Sequence, residues 1–127
     1  EGQPVDKLRP VTGMERIASI QEEIREVYIS EPVLGYLLDI VRGTRAHPLV
    51  LLGASPRAAL SYMMACKAFA FLQERDYVLP DDVKSLAPYT LGHRILLRPE
   101  SRLDNVSADT LLNNLLQSIQ VPVTMRQ

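Results

Sequence analysis

Apolar residues recur along much of this chain at three- and four-residue steps, which is the spacing of one face of an α-helix. The first such stripe runs from Met14 to Val27 and predicts an amphipathic helix over residues 13–26. Thr12 and Glu15 have the spacing of a capping box, so we expect Thr12 to cap this helix.

Four further start signals, each followed by apolar positions, predict more helices. They are Ser30 before Glu31-Pro32, Ser55 before Pro56, Pro80 before Asp81-Asp82, and Ser107 before Ala108-Asp109. The apolar runs 49–52 and 95–97 are too short for helices, so we expect an extended segment or tight lead-in at the first and an extended piece at the second. Pro88 is expected to kink or split its helix. The predicted fold is all-α: a small bundle of five or six helices with short extended links.

The segment that follows Ser55 has almost no polar face as far as Gln73, and only Ser61 and Lys67 interrupt it after its first turn. A helix that is apolar all round is typically buried. We therefore expect a central core helix around which the others pack, with Cys66 as an inert core residue.

One charge at the start of that helix has the wrong sign. Ser55 suits the cap and Pro56 the first helical position, but Arg57 places a cation where the helix dipole favours anions. One interpretation is that an anion lies in front of the helix, held by free N–H groups and by Arg57. The other is that Arg57 pairs with a carboxylate of its own domain or points into solvent.

The composition of the chain argues against some classes of function. A net charge of −1 and a pI of about 6.1 argue against nucleic-acid binding. We find no phosphate loop, nucleophile elbow, signal peptide or membrane span, and His47 and His93 are far apart. The paired Asp81 and Asp82 suit the dipole of the helix they open. We predict neither a catalytic residue nor a metal site here.

Several linked motifs give the chain a family resemblance. Gly53-Ala54-Ser55-Pro56-Arg57-Ala58, the run 75–84 beginning Arg75-Asp76-Tyr77, and Leu91-Gly92-His93-Arg94-Ile95 follow one another in the same order as in the C-terminal lid domain of MoxR-family AAA+ ATPases. The dipeptide Thr44-Arg45 also matches the sequence pattern of this family. The resemblance covers roughly residues 14–122, although Leu79 stands where the family commonly has a threonine cap.

The resemblance implies a function that composition and spacing do not. Arg57 corresponds to the sensor-2 arginine, which would contact the terminal phosphates of ATP, with Gly53, Ala54, Ser55 and Pro56 forming the supporting helix start. Residues 1–11 would be a linker from an N-terminal ATPase domain and residues 12–127 the lid. That ATPase domain would supply the Mg, and the full-length protein would hydrolyse ATP, although this segment has no phosphate loop of its own.

The implied partners are the protein's own ATPase domain, neighbouring subunits of a ring, and proteins with a von Willebrand factor A domain. The implied role is chaperone-like remodelling or maturation of other proteins in the cytoplasm, without nucleic acid or membrane as a partner. The alternative from a different class is a freestanding helical protein-interaction module with no nucleotide role.

Overall fold

Five α-helices and a two-stranded sheet make up the computed structural model, which describes residues 3–123 apart from the Arg102 side chain. The helices are α1 (Met14–Glu26), α2 (Glu31–Ala46), α3 (Pro56–Leu72), α4 (Pro80–Leu91) and α5 (Ala108–Ser118). The strands are β1 (Val50–Leu52) and β2 (Leu96–Leu97). Short 3₁₀ turns cover Pro4–Lys7, Gly92–Arg94 and Pro99–Arg102. The predicted class, a small helical bundle with short extended links, is confirmed.

Helix α3 lies at the centre and packs against α1, α2 and α4. Its fully buried side chains follow at four-residue steps, so they form one line down the helix: Ala58, Tyr62, Cys66 and Ala70. The expectation of burial on every side is wrong, because Leu60 and Leu72 are 62% and 73% exposed. Three neighbouring helices cover only part of a cylinder, and the remaining apolar face of α3 stays open.

The polar tip of Tyr62 is satisfied within this core. Its hydroxyl donates a hydrogen bond to the Val83 carbonyl of α4, and burial raises the pKa of the phenol. Burial also raises the pKa of the neighbouring Cys66 thiol, to about 12. Cys66 is therefore a protonated core residue, as predicted.

The turn between α3 and α4 is held by an ion pair. Arg75 donates to both carboxylate oxygens of Asp82, at 2.8 and 2.7 Å, and the Asp82 carboxylate also accepts the Leu79 N–H at 2.8 Å. Asp82 thus binds an N–H at the start of α4, where Leu79 has no hydroxyl to offer. This carboxylate is part of the scaffold.

Helix α1 differs from its prediction at its start. The cap position is Gly13, which makes no side-chain hydrogen bond, so the predicted Thr12 cap is wrong. The amphipathic helix itself is present, but none of its residues is fully buried, and Met14 is 83% exposed. The helix is tied to α3 by Lys67, whose Nζ donates to the Arg25 carbonyl at 2.8 Å.

Two other start signals behave differently from each other. Ser107 caps α5 as predicted, because its hydroxyl accepts the Thr110 N–H at 3.1 Å. Ser30 occupies the cap position of α2, but its buried hydroxyl has no hydrogen-bond partner among residues 3–123. Helix α4 runs through Pro88 without being split, and a 3₁₀ turn extends it to Arg94.

Both short apolar runs are extended, and they pair with each other. Val50 lies opposite Leu97 in an antiparallel ladder, and Arg98 donates its N–H to the Leu49 carbonyl at 2.8 Å. The pairing ties the segment before α3 to the segment before α5. The sequence pattern also predicts an extended end of the chain over residues 121–127, which falls partly outside the described residues. Within residues 3–123, every helix is too short or too polar to cross a bilayer.

Candidate functional site

The start of α3 has the geometry that its sequence predicts. Ser55 is extended at the cap position, with φ −76° and ψ 166°, and its hydroxyl accepts the Ala58 N–H at 3.1 Å. Pro56 occupies the first helical position, where its missing N–H costs nothing. Ser55, Pro56 and Arg57 are exposed, so the start of this helix can present a side chain to a ligand.

Arg57 follows at the second helical position and is exposed. Among residues 3–123 it forms no ion pair and no side-chain hydrogen bond. Its backbone N–H likewise has no acceptor in this part of the chain. The second interpretation from sequence allowed either an ion pair within the domain or a side chain in solvent. The ion pair is not observed in the described residues, and the exposed position of Arg57 agrees with the solvent-facing arrangement. A guanidinium and an N–H remain available to an anion at this helix end.

The loop before α3 is fixed to the last turn of α2. The Ala54 N–H donates to the Thr44 hydroxyl at 3.0 Å, and the Ala54 carbonyl accepts from Arg45 Nε at 2.6 Å. Gly53 packs against the Arg45 backbone. Sequence reasoning did not show that Thr44 and Arg45 bind this loop, although a glycine at residue 53 is consistent with a close approach of two backbones.

An apolar groove of about 430 Å³ adjoins this helix start, between α2 and α3. Pro56, Leu60 and Met63 line one side, Leu34 and Leu38 the other. It is the open face of α3 noted above, and Arg45 contributes to its lining. A larger polar depression of about 790 Å³ lies between α4 and α5 and contains none of the predicted site residues.

The remaining candidates from sequence have local roles. His47 accepts the Leu49 N–H through Nδ1 at 3.2 Å, which agrees with the role of a turn residue that its place before Pro48 suggests. His93 is exposed in the turn after α4 and accepts from Arg94 Nε at 3.2 Å. Residues 3–123 contain no cluster of three or more His, Cys, Asp or Glu side chains that could hold a metal ion.

Comparison with known proteins shows which family this chain resembles. The family model of the AAA lid domain matches residues 42–115. The uncharacterised protein YeaC of Bacillus subtilis is 39% identical over 120 residues, covering 94% of this chain and 38% of YeaC. The chaperone MoxR1 of Mycobacterium tuberculosis is 30% identical over 112 residues, covering 81% of this chain and 30% of MoxR1.

A solved structure agrees with these matches. The crystal structure of a "putative ATPase" from Cytophaga hutchinsonii superposes with a TM-score of 0.80 and 32% identity, over 86% of this chain and 36% of that one. The chain therefore spans well under half the length of the relatives it matches. The family model covers more than half of the chain, and the fold agrees with that of an ATPase segment. The chain belongs to the AAA lid domain family and is a lid of the MoxR type.

Proposed function

We propose that Arg57 and the first turn of α3 bind the terminal phosphates of an ATP molecule held between this lid and an ATPase domain of the same protein. The observation that carries the proposal is the exposed guanidinium at the second position of α3, which has no acidic partner among residues 3–123. A cation there costs the isolated helix about 0.3–1 kcal/mol, and a contact with a bound anion would offset that cost.

Phosphate supplies that compensation on three grounds. The planar guanidinium of Arg57 matches two phosphate oxygens at once. The unbonded Arg57 N–H and the positive end of the helix dipole favour an anion at the same place. Magnesium would be supplied by the ATPase domain, because the described part of the lid offers no cluster of metal ligands.

In the full-length protein, nucleotide bound between two domains would couple its own state to their relative orientation. Loss of the γ-phosphate removes a charge-assisted contact with Arg57, and the lid angle changes as a result. We propose that this motion drives chaperone-like remodelling of partner proteins, since one relative is named a chaperone. Neighbouring subunits of a ring and proteins with a von Willebrand factor A domain are the proposed partners.

The test is ATP turnover of the full-length protein with Arg57→Ala. Loss of one charge-assisted contact is worth about 1.5–3 kcal/mol, so we expect turnover to fall about 10- to 100-fold. Arg57→Lys keeps the charge but loses the paired geometry and should fall in between. The thermal stability of the lid should be unchanged or slightly higher, because an unfavourable helix-dipole contact is removed.

The control is Arg16→Ala, which removes the same group from an exposed face of α1, where Arg16 pairs with Glu23 at 2.7 Å. Arg16→Ala should leave turnover within about twofold, as expected for an exposed surface pair. Turnover of Arg57→Ala equal to that of the Arg16→Ala control would refute the proposal.

The apolar groove between α2 and α3 supports a second candidate function, a protein-interaction module without a nucleotide role. Such a module would bind its partner equally well with and without ATP. Partner binding by the full-length protein that depends on both ATP and Arg57 excludes this alternative.

A further inference from the structure

In the loop that leads into α3, the N–H and the carbonyl of Ala54 are both bound by side chains of α2. These two side chains are consecutive in the sequence, and we call them the clamp. Thr44 accepts the Ala54 N–H at 3.0 Å, and Arg45 Nε donates to the Ala54 carbonyl at 2.6 Å. A single peptide segment, two residues before the first turn of α3, is thereby fixed to a different helix. The geometry leaves Ala54 little freedom to rotate or translate.

Of the two clamp residues, Thr44 and Arg45, Thr44 is the buried one. The residue has no exposed surface, and its hydroxyl also donates to the Val41 carbonyl at 2.7 Å. The hydroxyl therefore donates a hydrogen bond within α2 and accepts one from the loop. A buried N–H left without its acceptor is costly, so the loop has a strong preference for this one position.

Gly53 permits the close approach that the clamp requires. A Cβ on Gly53 would lie 2.7 Å from both Cα and the backbone N of Arg45, closer than atoms can pack. No glycine in residues 3–123 has a positive φ, so contact distance and not backbone conformation requires glycine at this position. The loop and the end of α2 thus touch backbone to backbone.

We propose that Thr44, Arg45 and Gly53 are positioning residues for the phosphate contact of Arg57. This proposal rests on the nucleotide role proposed above and adds how the contact is aimed. Only Ser55 and Pro56 separate Ala54 from Arg57, and both are in fixed cap and first-turn geometry. The end of α2 therefore sets where the Arg57 guanidinium can reach, and the two helices move as one unit when the nucleotide changes state.

The experiment is ATP turnover of the full-length protein with Thr44→Val, alone and combined with Arg57→Ala. Valine keeps the shape of threonine and removes only the hydroxyl, and Thr44 is too deeply buried to touch a nucleotide. We expect turnover to fall about tenfold, since small displacements of a contacting group are costly. Thr44→Ser, which keeps the hydroxyl, should restore most of the activity.

A coupling measurement separates positioning from general loss of stability. In the Arg57→Ala background, Thr44→Val should change turnover by less than about twofold, because the contact that it aims is already gone. Thr90→Val is the matched control. It removes a hydroxyl that donates to the Leu86 carbonyl at 2.8 Å within α4, and it should lower stability without lowering turnover.

Gly53→Ala provides a second route, because it retains Thr44 and Arg45 but forces the loop and the end of α2 apart. It should reduce turnover in the same Arg57-dependent way, whereas Gly35→Ala, whose added Cβ meets no atom within 4 Å, should not. If Arg57→Ala lowers turnover but Thr44→Val and Gly53→Ala do not, the positioning role is overturned and the phosphate contact stands. If Arg57→Ala leaves turnover unchanged, both proposals fail. Equal effects of Thr44→Val with and without Arg57 also overturn the positioning role.

Discussion

The ion pair between Arg75 and Asp82 should be a large single contribution to the stability of this domain. The Asp82 side chain is 5% exposed and that of Arg75 20% exposed, and two hydrogen bonds of 2.7 and 2.8 Å join them. The Asp82 contact raises the pKa of the Arg75 guanidinium further above its usual range. Asp82→Asn keeps the size of the side chain and an acceptor for the Leu79 N–H, and it removes the charge.

The expected loss follows from what is left behind. Breaking a buried pair by removing one charge costs about 3–5 kcal/mol, and the partial exposure of Arg75 places this case at about 3 kcal/mol. An unfolding entropy of about 2.1 cal/mol/K per residue gives about 0.27 kcal/mol/K for 127 residues. A loss of 3 kcal/mol then lowers Tm by about 10 °C.

Thermal and urea unfolding of Asp82→Asn, followed by circular dichroism, measures this loss. The control is Asp81→Asn, the exposed neighbour in the same helical turn, which loses only about 0.3–1 kcal/mol of favourable interaction with the helix dipole. If Asp82→Asn is no less stable than Asp81→Asn, the ion pair does not hold the turn between α3 and α4, and the structural argument is wrong.

Three further changes test other parts of the scaffold. Because burial raises the pKa of the Cys66 thiol from 9 to about 12, this group should lower the stability by about 1.4 kcal/mol per pH unit over that range, in addition to the fall caused by the raised pKa of Tyr62. Cys66→Ala should reduce the slope of stability against pH in urea titrations, and an unchanged slope would contradict the raised thiol pKa. Gly35→Ala, inside α2 with open space around the added methyl group, should raise the free energy of unfolding by about 0.5–1 kcal/mol in urea unfolding; a decrease would show a steric conflict. Lys67→Met should speed hydrogen exchange in α1 but not in α4, because the bond to the Arg25 carbonyl is lost; equal rates in both helices would show that Lys67 does not tether α1.

The existence and order of the helices could be predicted because their signals are local. Pro56 and Pro80 fix the first residues of α3 and α4, and Ser55 and Ser107 cap their own helices with bonds spanning three residues. Such bonds form from neighbouring atoms alone, so the sequence pattern is enough to place them.

The errors arose where two local signals competed. Thr12 and Gly13 are both suitable before α1, and the chain enters the helix through Gly13. Ser30 is at the predicted cap, but its buried hydroxyl does not bind the free N–H groups of α2. A sequence pattern gives the type of residue at a cap but not the direction in which its hydroxyl points.

The sequence also did not predict which side chains of α3 are buried. The apolar residues of α3 are spread all around the helix, and only the number of helices that pack against it leaves Leu60 open beside the groove. Likewise, sequence showed that β1 and β2 are too short for helices but could not show that they pair, because the partners Val50 and Leu97 are 47 residues apart along the chain.

What the sequence determined by itself is the list of helices, the capped start of α3 and the odd cation that Arg57 places there, since each depends on residues within one or two turns of one another. What only the tertiary structure decided is how the loop before α3 is held against the end of α2. The hydroxyl of Thr44 and the guanidinium of Arg45 reach Ala54 from ten and nine residues away. No periodicity records such contacts, because they exist only once two helices have packed at a fixed distance.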